Sequence, residues 1–190
     1  MPETLTVIDK RSNRTRRALT NALISLTLEK SYDNVTVRDL AERADIGYAT
    51  FFRHFSDKDA LLADVLEETL TGLLELIQPV MNDPERTSRI VFEYIGQNGD
   101  VVRVLLKTRN ISPLMPRIFA FSSQAILEQF KPNPESLIPP EIAAHHMIAS
   151  FIELIEWWLE HQMPYPPERM GVIASSLIML PTRKMAFLER

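Results

Sequence analysis

Apolar positions along this chain recur at three- and four-residue intervals, and no stretch alternates as a strand does. Ala18, Leu19, Ala22, Leu23 and Leu26 predict a first helix near Ser12 to Lys30. Val37, Leu40, Ala41 and Ala44 fall at i, i+3, i+4 and i+7 and predict a second. A short third runs from about Tyr48 to His54. A longer fourth carries Leu61, Leu62, Val65, Leu66, Leu70, Leu73, Leu74 and Ile77 up to Pro79. The punctuation agrees. Thr36 with Asp39 reads as a capping box, and Ser56 with Asp59 as another. Asp45-Ile46-Gly47 breaks the pattern, with Gly47 free to turn or to cap. Two short helices joined by three residues and flanked by longer ones match a helix-turn-helix, whose second helix enters a major groove.

Beyond Pro79 the pattern stays helical. Asp83 caps a helix that opens on Pro84 and runs to about Gly96. Further helices are predicted from Asp100 to Thr108, from Ser112-Pro113 to about Phe130, from Pro140 to His161, and from Pro167 to about Leu180. Pro116 falls in a first turn, where a missing N–H costs little. Lys131-Pro-Asn-Pro and Met163-Pro-Tyr-Pro-Pro are stiff loops. The chain reads as all-α with about nine helices. A helix-turn-helix domain covers 1–60, a connecting helix about 57–78, and a C-terminal helical domain 79–190.

Within 36–61 the elements Thr36-Val37, Leu40-Ala41, Ala44, Ile46, Thr50-Phe51-Phe52, His54-Phe55 and Lys58 resemble the DNA-binding half of the tetracycline-repressor (TetR) family of bacterial transcription regulators. The match runs from about Arg11 to Leu70. Two departures stand out. The family often has Gly where this chain has Asp45, and a Ser-Lys-Gly-like run where it has Gly47-Tyr48-Ala49. It also usually has Tyr, whose hydroxyl can reach a phosphate, where this chain has Phe52.

Charge first argues against nucleic acid, since the net is −4 over 190 residues. Its distribution changes the picture. Residues 1–60 carry ten basic and nine acidic side chains, and 61–190 carry 11 and 16, so the acidity belongs to the second part. Lys10 to Arg17 hold five basic residues and no acid, which places Arg11, Arg14 and Arg16 to meet phosphates. There is no cysteine, hence no disulfide or thiolate metal site. No run approaches 18 apolar residues and no signal pattern opens the chain, so a cytoplasmic protein without membrane contact is expected.

Phe51 and Phe55, four apart, are assigned to the core with Leu40 and Ile46. That leaves Tyr48, Ala49, Thr50 and Arg53 for the outer side of the recognition helix. Arg53 can bond a guanine edge or a phosphate; Tyr48 and Thr50 can donate to phosphate; Ala49 or Thr50 methyls can touch a thymine methyl. The resemblance adds Thr36, Phe52, His54 and Lys58 to the DNA-facing set, with His54 and Lys58 as phosphate contacts.

In the last third, Ile148, Phe151, Ile152, Ile155 and Leu159 form one stripe, with Trp158 beside it. Val172, Ile173, Ser176, Leu177 and Leu180 form a second. Such apolar surface either fills the chain's own core or faces a partner. The resemblance implies a homodimer through two C-terminal helices, with Phe151, Ile155, Trp158, Ile173 and Leu177 at the interface. It also implies a small-molecule effector site in the C-terminal domain, for which Phe92, Met115, Phe119 and His145 are candidate linings. No metal is expected at His145-His146, since adjacent residues point about 100° apart on a helix. No cofactor is expected either: the chain lacks a Gly-rich phosphate loop. An enzyme would have to use Glu153 and Glu156, which read more simply as a solvated face. The expectation is a dimeric, ligand-responsive repressor on a near-palindromic duplex operator. The alternative is a relative that activates, or works as an adaptor through protein partners.

Overall fold

The computed structural model describes residues 3–108 and 114–188, with side chains over 12–108 and 115–188. The chain divides into two compact units, 1–69 and 70–190. Its helices are α1 Glu3–Lys30, α2 Val37–Arg43, α3 Tyr48–Phe51, α4 Lys58–Ile77, α5 Pro84–Gln97, α6 Gly99–Lys107, α7 Leu114–Gln129, α8 Pro140–Glu160, α9 Pro167–Ala174 and α10 Leu180–Ala186. A π segment, Ser175–Met179, joins the last two without a break, so the described residues hold nine helical runs. No strand occurs among them. Among the described residues one isolated bridge forms, where Phe187 meets Pro132.

Several boundaries differ from the sequence reading, each for a local reason. α1 begins well before Ser12. α3 closes at Phe51, and the residues to His54 form turns. The cap of α4 is Asp57 rather than Ser56: the Ala60 N–H donates to the Asp57 carboxylate at 2.7 Å, while the Ser56 hydroxyl donates to the same side chain at 3.0 Å. The helix opening expected at Ser112-Pro113 lies outside the described residues. The last helix does not stop at Leu180. Pro181 cannot donate to a carbonyl one turn back and its ring crowds that carbonyl. The widened π turn absorbs the misfit, with the Leu180 N–H bonded to the Ser175 carbonyl five residues back.

In the first unit, Leu19, Ala22, Leu23 and Leu26 of α1 are buried together with Leu40, Ala41, Phe51, Phe55, Leu61, Leu62, Val65 and Leu66. A four-residue α3 has no stability of its own. Its place comes from burying Phe51 in that core.

The second unit has one continuous apolar core. Met81, Phe92, Ile95, Met147, Ile155, Trp158, Met170 and Met179 lie at its centre. Phe92 meets Trp158 edge-to-face at 5.3 Å, and the Trp158 indole N–H donates to the Tyr165 carbonyl at 2.8 Å. α5 and α9 approach so closely at Gly171 that a Cβ there would sit 2.7 Å from the Arg89 Cα.

Candidate nucleic-acid interface

The site is built outward from α2. Thr36 caps this helix with a capping box: its hydroxyl accepts from the Asp39 N–H at 3.2 Å, and its own N–H donates to the Asp39 carboxylate at 2.8 Å. Lys30 pairs with the same carboxylate at 2.8 Å. The Lys30 contact first, then the Thr36 bonds, hold the Asp39 carboxyl well below the usual range. Arg43 grips Glu29 with both guanidinium nitrogens at 2.8 and 2.7 Å, tying α2 to α1.

The turn that follows is a Schellman motif. The Ile46 N–H donates to Ala41 at 3.0 Å and the Asp45 N–H to Glu42 at 3.2 Å. This closure needs a left-handed residue, and Asp45 supplies it at φ 53°. Glycine takes that conformation without strain, which gives the Asp45 departure a physical meaning. Gly47 then caps α3 with an ordinary φ of −65°.

α3 and the turn after it divide into two faces. Phe51 is fully buried, whereas Tyr48 is 56% and Phe52 47% exposed. Ala49 and Arg53 are exposed beside them, and Thr50 is half-buried. The Tyr48 and Phe52 rings meet edge-to-face at 5.1 Å, and Phe52 leans in turn on Phe51 at 5.4 Å. The Arg53 guanidinium donates to the Thr50 hydroxyl at 2.8 Å. His54 lies half-buried at the end of this face. Burial, then the charges of Arg16 and Arg53, push its imidazole below its ordinary pKa.

The flanking basic residues separate into engaged and available. Arg16 pairs with Asp64 of α4 and lies over the Phe55 ring at 5.7 Å. Arg14 and Arg17 are exposed and pair with no acid among the described residues. The Arg11 side chain lies outside the described residues.

Lys58, expected as a phosphate contact, is engaged by the chain's own backbone. Its ammonium donates to the carbonyls of Tyr32 at 2.9 Å, Val35 at 3.0 Å and Asp33 at 3.4 Å, and sits 4.4 Å from the centre of the Tyr32 ring. It closes the short 3₁₀ turn Tyr32–Asn34 onto the start of α4. Tyr32 also donates its hydroxyl to Asp59 of α4. Burial first, and then this acid, raise the phenol's pKa. The sequence offered no signal for this arrangement, since the carbonyls come from residues 23 to 26 positions earlier.

These features place a basic-flanked, two-faced helix on a helix-turn-helix. Residues 19–65 match the sequence model of bacterial regulatory proteins of the tetR family. Residues 82–180 match that of a transcriptional regulator C-terminal region. The chain belongs to the TetR family of transcriptional regulators.

Relatives agree with the assignment. An uncharacterized HTH-type transcriptional regulator of Bacillus subtilis (strain 168), YxbF, is 25% identical over 171 residues, 85% of this chain and 43% of that protein. An uncharacterized HTH-type regulator of Haemophilus influenzae is 32% identical over 102 residues, half of each chain. The chain thus spans about half the length of these curated relatives. In fold it is similar to the crystal structure of a TetR transcriptional regulator from Streptococcus agalactiae 2603V, at a TM-score of 0.69 and 24% identity. That likeness covers 92% of this chain and 98% of the other.

The C-terminal expectations fare unevenly for this TetR-family chain. Trp158 and Ile155 are 1% and 8% exposed within the single chain, so they belong to its own core rather than to a partner surface. Phe151 and Ile173 are half-buried against that core. Leu177 stays 69% exposed, beside exposed Leu180 and Met185. Leu177 and Met185 line an open apolar groove of about 360 Å³ with Ile138, Ile142, His146 and Pro181.

Of the candidate effector linings, Phe92 is wholly enclosed between Trp158 and Phe151. Phe119 and His145 stack at 4.3 Å on α7 and α8, with His145 exposed, and Met115 is half-buried at the start of α7. Among the described residues no helix is long and apolar enough to cross a membrane.

Proposed function

We propose that this TetR-family chain acts as a homodimeric repressor of transcription that binds a near-palindromic operator and is released by a small-molecule effector. The observation that carries the reading is the division of α3 and the turn after it: Phe51 anchors the helix in the core, Tyr48, Ala49, Phe52 and Arg53 are exposed, and exposed Arg14 and Arg17 pair with no acid among the described residues. Phosphate contacts from such cations position a protein on duplex DNA, and the outward helix face touches base edges. A second copy, docked over the apolar face at Leu177, Leu180 and Met185, would double the recognition helices and impose two-fold symmetry on the operator. The effector would act in the second unit by binding one spacing of those helices more tightly than the other.

Selection of genomic fragments by the purified protein, followed by mobility shifts at several salt concentrations, tests the reading. The expected result is an enriched inverted repeat, half-sites about one helical turn or a multiple apart, and affinity falling linearly on logarithmic axes as salt rises. Weak, salt-sensitive binding with no enriched repeat would refute it and favour an adaptor that works through protein partners.

A further inference from the structure

The outer face of α3 is unusually apolar for a surface that reads base edges. Tyr48 and Phe52 are the most exposed aromatic side chains of the first unit, and Ala49 lies beside them. They are fixed in place. The Tyr48 ring meets Phe52 at 5.1 Å, and Phe52 leans on Phe51, which is fully buried. The ledge is therefore held by the core and loses little freedom on docking. Meanwhile the guanidinium of Arg53 is drawn toward Thr50 at 2.8 Å, which leaves the neighbouring surface to the rings. In the major groove a single base feature answers an apolar surface, the 5-methyl group of thymine.

We infer that the Tyr48–Phe52 ring pair, with the Ala49 methyl, selects operators by the 5-methyl groups of pyrimidines. Resting on the DNA-binding reading above, this assigns specificity to a surface that makes no hydrogen bond to the base. Phe52 thus does a different job from a tyrosine donating to phosphate. The same pocket of methyl contact accepts 5-methylcytosine in place of thymine, since both carry the group at the same ring position.

Uracil supplies the test, because it pairs as thymine does and lacks only the methyl. The duplex selected by the full-length protein is prepared in two forms, one with thymine and one with deoxyuridine at single half-site positions, and affinities are compared by mobility shift. At one or two positions the uracil form should bind about three- to fivefold more weakly, the amount expected for one buried methyl group. Phe52→Ala and Tyr48→Ala should lower thymine-form affinity and erase that difference, with the salt slope unchanged. Equal affinity of the wild-type protein for the two forms at every position would overturn the inference while leaving DNA binding intact. A variant that still discriminates as the wild type does would also overturn it. Failure to enrich any duplex sinks the DNA-binding reading itself, a distinct outcome. The wild-type comparison needs no variant to fold.

Discussion

The first unit adds directional polar bonds to an apolar core to fix its short helices, whereas the second rests on one continuous apolar core. In residues 1–69 the capping box of Thr36 and Asp39, the Schellman turn at Asp45, the Arg43–Glu29 pair and the Lys58 ammonium each fix a short element. In residues 70–190 the core of Phe92, Trp158, Met170 and their neighbours does that work, and a π turn carries the last helix past a proline. Segments of four and seven residues cannot sustain themselves by helix propensity. In the first unit directional bonds add to packing at the ends of such segments; in the second, packing carries most of the structure.

The largest way to break this contrast is Trp158→Ala. Removing a fully buried indole should cost about 3–5 kcal/mol, measured by denaturant unfolding of the second unit. A residue that served only a dimer contact would instead lower association and leave the unfolding of the separated chains unchanged. Lys58→Met comes next. It keeps the stem over Tyr32 but removes the ammonium's hydrogen bonds, and the Val35 carbonyl loses its donor while the Tyr32 carbonyl keeps the Val35 N–H, at a cost of about 1–3 kcal/mol. DNA affinity should keep the wild-type salt slope; a slope shallower by about one unit would mark Lys58 as a phosphate contact.

Asp45→Gly should act in the opposite direction. A left-handed L-residue costs about 1–2 kcal/mol, and glycine's extra chain entropy takes back about 0.5–1 kcal/mol. The net gain should be about 0.5–1 kcal/mol in the thermal unfolding of the first unit.

The smallest effect concerns His54. Its folded pKa lies below its ordinary value of 6.5, through burial and then Arg16 and Arg53. The unfolded chain therefore takes up the proton first as pH falls. The stability from neutral His54 is complete above about pH 6.5 and is lost as pH drops toward the folded pKa. Unfolding followed across that window should show a shallow decline absent in His54→Gln. DNA affinity should move the other way, because phosphates favour the charged ring.

The same contrast explains what the sequence disclosed. The Thr36–Asp39 box and the Asp83-Pro84 helix start were legible because both partners lie within three residues. Phe51 and Phe55 were legible because their spacing sets a face. Ser56 was mistaken for the α4 cap because Asp57, one position on, satisfies the same grammar. The intramolecular partners of Lys58 and Trp158 were hidden for a deeper reason. A cation can meet a distant carbonyl or a phosphate, and an apolar stripe can fill its own core or a partner's, and only tertiary structure separates those cases. The passage through Pro181 was hidden likewise, because a proline usually ends a helix and a π turn leaves no mark in the pattern.

Base reading by α3 and the turn after it is tested most directly by the affinity of Arg53→Ala for duplexes varied one base pair at a time across the selected half-site. Preference should be lost at one position, worth about 1–3 kcal/mol for a bidentate contact, while the other positions keep theirs. Equal weakening at every position would contradict it and reduce Arg53 to a phosphate clamp.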